Sequence, residues 1–303
     1  MDKKLIDIIC PVYNKSKHIV SFLLSLKPMP EDDINIIIVD DGSSDGLQEI
    51  IKDYVDSNDI KNIFYFYKNN GGVSSARNLG IMKAVSKYIW FCDPDDTVFL
   101  SAKSILNELD DSVADIIVYG YSIEFEKSKG KKVIKQYLNK LLTSEQFLLE
   151  YDFFTKNNSI STVWNKLYRR EFIGRVRFRE DMNHSEDRYF NLCLLDRVAS
   201  VCTSEKCIYH HYRYIGNTLS TIKTKSRIED IIKADLYNLE VLGKIKDIGV
   251  EKKIHIYKIA REKMFLSHKS AKEFYFSEHK KLGVPLFPFV SIKGFLIFII
   301  LFF

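Results

Sequence analysis

The chain has 303 residues, 46% hydrophobic and 28% charged, an ordinary globular composition long enough to bury a large core in one domain with or without an extension. Its net charge of +5 is unevenly placed: residues 251–282 carry nine Lys or Arg against four Glu, an excess as large as that of the whole chain. The remainder is near neutral, which argues against a general nucleic-acid-binding face and for a local contact with something anionic. The five cysteines (Cys10, Cys92, Cys193, Cys202, Cys207) form no C-x-x-C pair, so they read as reduced thiols of a cytosolic protein rather than as disulfides or a zinc site.

The N-terminus, Met1 to Ile6, runs straight into a strand pattern without the apolar core of a signal peptide. Leu5 to Val12 predicts a buried strand, and His18 to Leu26 has helical spacing. Ile34 to Val39 is a β-branched run ending in Asp40-Asp41-Gly42-Ser43-Ser44-Asp45-Gly46, with Ser44 or Asp45 placed to cap a helix near Leu47. Ile63 to Tyr67 predicts a third strand, Ser74 or Ser75 opens a helix toward Ala84, and Tyr88 to Cys92 returns to strand. Continuous apolar strands alternating with short helices predict βαβ units and an α/β fold with a mostly parallel sheet covered by helices. Each strand ends in small and polar residues, so one edge of the sheet carries the chemistry.

Beyond residue 100, Asp115 to Tyr121 predicts a strand followed by a Lys-rich hairpin or loop to Lys135. Residues 143–173 read as helical and then turn-rich, and Cys207 to Arg213 as a strand. Ile228, Ile231, Ile232, Leu236, Leu239, Leu242 and Ile245 follow helical spacing, and a basic helix covers about 251–282. The apolar tail is interrupted by Pro285, Pro288 and Lys293, and its unbroken part, Phe295 to Phe303, is too short to span a bilayer. It reads as an interfacial or re-entrant anchor beside a basic helix resting on anionic headgroups, or else as a terminal element folded onto the core.

Asp93-Pro94-Asp95-Asp96, at the tip of the Tyr88–Cys92 strand, crowds three carboxylates where open α/β sheets bind ligands. Hard cations such as Mg²⁺ and Mn²⁺ take oxygen ligands and are commonly held by one or two carboxylates plus substrate phosphates. The cluster therefore reads as a metal-bridged phosphate site or as an acidic turn.

Four motifs follow in order: Ile8-Ile9-Cys10-Pro11-Val12-Tyr13-Asn14, Val39 to Gly46, Asn70-Gly71-Gly72-Val73-Ser74-Ser75-Ala76-Arg77-Asn78-Leu79-Gly80, and Phe91 to Asp96. Together they resemble the signature of glycosyltransferase family 2, which implies a GT-A fold, a nucleotide-diphosphate-sugar donor and Mn²⁺ or Mg²⁺. The resemblance covers about residues 5–215 and is dense over 5–100. It implies donor contacts from Pro11, Val12, Tyr13, Asn14, Asp41, Gly72, Arg77 and Asp93. Tyr13 would lie against the base, Asp41 would accept the uracil N3–H, and Arg77 would reach the base or diphosphate unless it is a solvated helix-face arginine. Asp95 is implied as the principal metal ligand, Asp93 as a ribose or metal contact, and Asp96 as a surplus carboxylate near the acceptor.

An inverting transfer also needs a base. Ser185-Glu186-Asp187-Arg188 lies where family members carry a Glu-Asp pair, so Asp187 is the candidate base and Glu186 its neighbour on the acceptor side; the alternative is a helix start, where acids are favoured anyway. Val163 to Glu171 resembles a segment of the capsule and cell-surface polysaccharide branch, with Trp164 stacking on an acceptor sugar or buried in the core. In Tyr209-His210-His211-Tyr212-Arg213, His211 is a further metal-ligand candidate, although strand histidines are more often structural.

These readings divide the chain into a catalytic domain over 1–222 (nucleotide-sugar side 1–100, acceptor side 101–222), a basic helical extension over 223–282 and a membrane-associating tail over 283–303. They predict an inverting, metal-dependent transferase that moves a sugar to a glycan or lipid-linked glycan from the inner face of the cell membrane. A nucleotidyltransferase would want a Gly-rich loop with Lys or Arg near the start, where Pro11 to Asn14 stands instead. A catalytically silent assembly partner is disfavoured by the intact acidic motifs.

Overall fold

The computed structural model describes residues 4–106, 109, 112–125, 131–134, 140–148, 160–197, 199–213, 224–245 and most of 256–282. The first half follows the sequence pattern closely: β1 (Ile6–Val12), α1 (Ser16–Leu26), β2 (Ile34–Asp40), α2 (Leu47–Asn58), β3 (Ile63–Tyr67), α3 (Val73–Lys83) and β4 (Tyr88–Phe91). Then come β5 (Thr97–Val98), a 3₁₀ turn over Leu100–Ile105, β6 (Ile116–Phe125), β7 (Lys131–Ile134), β8 (Lys140–Thr143) and α4 (Ser144–Phe147). The chain continues through β9 (Lys166–Arg169), α5 (Arg170–Ile173), α6 (Glu186–Leu195), β10 (Ser200–Arg213), α7 (Lys225–Gly243) and α8 (His268–Leu282).

Among the described residues ten strands join one sheet in the order β3-β2-β1-β4-β9-β6-β10-β5, with β7 on β6 and β8 on β10. β3, β2, β1 and β4 are mutually parallel, β6 and β10 are parallel to each other, and β9 lies antiparallel between β4 and β6. Side chains alternate between the two faces, as strand geometry requires. Ile8, Cys10, Ile36, Ile38, Trp90 and Cys92 join α1, α2 and the 3₁₀ turn on one side. Ile9, Ile37, Val39, Ile89 and Phe91 join α3, α5, α6 and α7 on the other. Covering both faces explains why these strands read as unbroken apolar runs.

Three expectations need correction. Neither Ser44 nor Asp45 caps α2: its N-cap is Gly46 at φ +78°, and Asp45 instead accepts from the Ser16 N–H at the start of α1. Part of the segment read as helical and then turn-rich, Lys166–Arg169, is the central strand β9; it is four residues long, too short to show a period. The basic helix expected over 251–282 is broken at Ser267: its described residues are helical at 256, 259, 260 and 262–266, and again in α8 from His268 onward. The Lys-rich hairpin after β6 forms through β7. The apolar tail lies outside the described residues, and among the described residues no helix is long and apolar enough to cross a membrane.

Candidate active site

Parallel pairing brings the tips of β1, β2, β3 and β4 to one edge of the sheet. There they border a cleft of about 650 Å³ lined by Tyr13, Lys15, Asp41, the Asn70–Arg77 turn, Asp93, Asp95, Glu180 and Asn183. Pro11 and Val12 form its floor, and the Val12 carbonyl accepts from the Asp41 N–H at 2.8 Å, tying the first two tips together. Tyr13, 52% exposed, is part of the cleft lining. Asn14 has φ +50°; its side chain accepts from the Ser44 N–H while its own N–H donates to Ser43 Oγ, so it clamps the first loop to the second.

Asp40 and Asp41 divide their work. Asp40 accepts from the Ser43 N–H and the Tyr65 hydroxyl, which braces the turn. Asp41, buried, accepts from Lys68 Nζ at 2.6 Å and the Gly71 N–H at 3.0 Å on one oxygen, and from the Gly72 N–H at 2.7 Å on the other. Those amides belong to the start of α3, whose dipole favours an anion there. Gly72 stands at φ +87°, a conformation a side chain would oppose. Three donors on a carboxylate with about four acceptor positions leave about one for a ligand N–H.

Arg77 organises the other half. Its side chain is 4% exposed, so it is no solvated helix-face residue. One terminal nitrogen lies 2.6 Å from Asp187 and 3.2 Å from Glu186; the other lies 3.4 Å from Asp93. The guanidinium also sits 5.2 Å above the Phe178 ring. It thus gathers three carboxylates at the wall of the cleft that it also lines. Burial raises the Asp187 pKa to about 7 against the lowering pull of Arg77, and Glu186 adds to the rise. Asp93 is raised to about 7 in the same way, with Asp96 and Asp95 contributing.

Asp95 faces the cleft and accepts from Lys15 Nζ at 2.7 Å. A carboxylate oxygen that already holds an ammonium is a cation position, so Asp95 and Asp93 fit a divalent ion shared with a diphosphate. They do not fit an all-protein cage: among the described residues no three acidic, histidine or cysteine side chains converge as ligands. Asp96 and His211 pair with each other. Asp96 is 2% exposed and accepts from the Tyr212 N–H at 2.9 Å, with His211 Nδ1 3.0 Å away. This links the acidic loop to β10. Trp164 is corrected. It is 6% exposed, stacks on Tyr209 and His211 with ring centroids 4.9 and 5.1 Å away, and its carbonyl accepts from the Trp90 indole. It is a core residue.

Several residues escaped sequence reasoning. Lys15 directly follows Asn14 and Lys68 directly follows β3, so both are basic residues at strand tips, which was the available signal. Glu180 and Asn183 line the cleft from a segment without periodicity. Lys166 is buried on β9, donates to Asn165 Oδ1 at 2.9 Å, and has its pKa lowered to about 7 by burial, with the Asp187 charge opposing the fall.

The profile of Glycosyl transferase family 2 matches residues 7–177, more than half of the chain. Among known proteins the chain is 32% identical over 229 residues to the uncharacterized glycosyltransferase EpsJ of Bacillus subtilis, covering 75% of this chain and 66% of EpsJ. It is 28% identical over 221 residues to the minor teichoic acid biosynthesis protein GgaB of B. subtilis, covering 72% of this chain and 24% of GgaB. The chain thus spans just under two thirds of EpsJ and a quarter of GgaB. Among solved structures, S. aureus TarS 1–349 in complex with UDP-GlcNAc superposes with a TM-score of 0.65 at 19% identity, covering 88% of this chain and 74% of that one, a likeness of fold. The four strand-tip motifs, the GT-A-like sheet and the profile match agree: the chain belongs to glycosyl transferase family 2.

Proposed function

We propose that this protein is an inverting glycosyltransferase that moves a sugar from a nucleotide-diphosphate donor, UDP-linked, to a hydroxyl of a cell-surface glycan or its lipid-linked precursor. The observation that carries the reading is the Arg77 cluster. It joins Asp93, at the diphosphate end of the cleft, to Glu186 and Asp187, the acids expected to serve the acceptor. The UDP-GlcNAc bound by TarS supports the donor class, and the teichoic acid role in the name of GgaB supports the acceptor class.

In this reading the nucleotide base lies along Tyr13 and donates its N–H to the remaining acceptor position of Asp41. The diphosphate lies at Asp93 and Asp95. Mn²⁺ or Mg²⁺ held there would neutralise charge on the departing diphosphate. Lys15, which pairs with the same oxygen, would be near enough to add positive charge for the phosphates. Asp187 removes the proton of the acceptor hydroxyl as that oxygen attacks the anomeric carbon, so a single displacement inverts the linkage. Its raised pKa suits this work at neutral pH. The exposed Lys269, Lys280 and Lys281 of α8 support a resting place on an anionic membrane surface.

The test is sugar transfer with purified protein and a panel of nucleotide sugars. Asp187→Asn should lower kcat by about 10³-fold or more with donor binding retained, in line with removal of a general base. Asp95→Ala should abolish the Mn²⁺ dependence of UDP release. Normal transfer by either variant would refute its assigned role, and release of pyrophosphate in place of UDP would make the protein a nucleotidyltransferase.

A further inference from the structure

The residue before the two acids is held in an unfavourable conformation. Ser185 has φ +59°, in the left-handed region that side-chain-bearing residues seldom adopt. Its hydroxyl makes no cap hydrogen bond to α6. Such residues persist where their surroundings over-determine them, and here the surroundings are α7. Asp230, buried on α7, accepts with a single oxygen, Oδ2, from the N–H groups of Asn183 at 3.0 Å and His184 at 3.2 Å. Beyond the acids, Arg188 Nη1 lies 2.5 Å from Asp235, also buried on α7, and Tyr189 stacks on Tyr237 at 4.7 Å. Glu186 and Asp187 are thus fixed by Arg77 on one side and framed by α7 contacts before and after them. The α7 partners and the residues they hold all lie past residue 177, where the family profile ends.

We propose that α7 is a working part of the active site and that Asp230 is a positioning residue, holding Asn183 to Ser185 so that Asp187 is aimed; this rests on the reading of Asp187 as the base. Both amide bonds use one oxygen, so Asn at 230 can still accept them through its carbonyl, whereas Ala cannot. The experiment compares Asp230→Ala and Asp230→Asn by hydrogen exchange of the Asn183 and His184 amides and by steady-state kinetics. Asp230→Ala should speed exchange at those amides and lower kcat by about 10- to 100-fold, more than it changes the donor KM, as small misplacements of catalytic groups do. Asp230→Asn should restore both. Adding Ser185→Gly to Asp230→Ala should recover part of the kcat, because glycine takes the left-handed conformation without penalty.

If Asp230→Ala does not fold, Ser185→Val reports the same coupling, since a β-branched residue opposes that φ; it should lower kcat with α7 untouched. Wild-type exchange in Asp230→Ala, or faster exchange with kcat unchanged, would overturn the proposal, as would a normal kcat in Ser185→Val. Failure of the base reading is separable: it would show as full activity in Asp187→Asn, whatever Asp230 does.

Discussion

At the scale of single residues, the site is a contest between burial and charge. Asp187 touches a guanidinium at 2.6 Å, which alone would keep it a strong acid, yet burial lifts it from 3.8 to about 7. A base must be ionised to act, so kcat/KM should rise with pH to a plateau with a midpoint near 7. Because Asp93 titrates in the same range and shares Arg77, the limb belongs to the cluster rather than to one carboxylate. The stability consequence has a fixed sign. A folded-state pKa above the unfolded one favours the fold fully below pH 3.8, and that contribution is lost as pH rises through about 7. Asp187→Asn should therefore be inactive yet melt higher than the wild type at pH 8, with the gap closing toward pH 4. Differential scanning fluorimetry over that range checks this, and a lower melting temperature at pH 8 would show that the Arg77 pair outweighs burial. Tyr13 and Asp41 stand at strand tips where their motifs put them. Arg77, Trp164 and Asp96 belong to their motifs as well, but their partners lie 110, 45 and 116 residues away, and adjacent sequence does not reveal such partners.

At the scale of elements, α3 and β1 meet too closely for a side chain. A Cβ on Gly80 would stand 2.3 Å from Ile9 Cγ2, which is attached to the β-branch and cannot swing away. Ala would improve helix propensity by about 1 kcal/mol, but overpacking a dense core typically costs about 1–3 kcal/mol. With a contact this short, the strain should win. Gly80→Ala should lower the urea midpoint, and Ile9→Ala in the same chain should make the two losses less than additive. Stability gained in Gly80→Ala would show that α3 can shift outward freely. The same contact explains why this helix, which carries Arg77, has a definite height over the sheet. β9 makes the opposite point: Lys166–Arg169 has strand pairing on both sides but no period of its own. Its identity comes from the gap between β4 and β6, which has to be filled for the sheet to continue.

At the scale of the whole molecule, the proposed function gives the cleft edge and the basic C-terminal region different partners. If the tail anchors the chain, protein lacking residues 283–303 should no longer sediment with vesicles containing anionic lipid, while the full chain does so in a salt-sensitive way. Equal sedimentation of both would place the membrane contact elsewhere. The sequence by itself determined the βαβ order, the doubly covered strands and the four polar strand tips, because alternation and loop chemistry are encoded among near neighbours. Only the tertiary structure decided that Arg77 gathers Asp93, Glu186 and Asp187, that Trp164 is core, and that α7 backs the candidate base. Those facts depend on which strands lie side by side, and strand adjacency is settled by packing across the whole sheet rather than by any local stretch of chain.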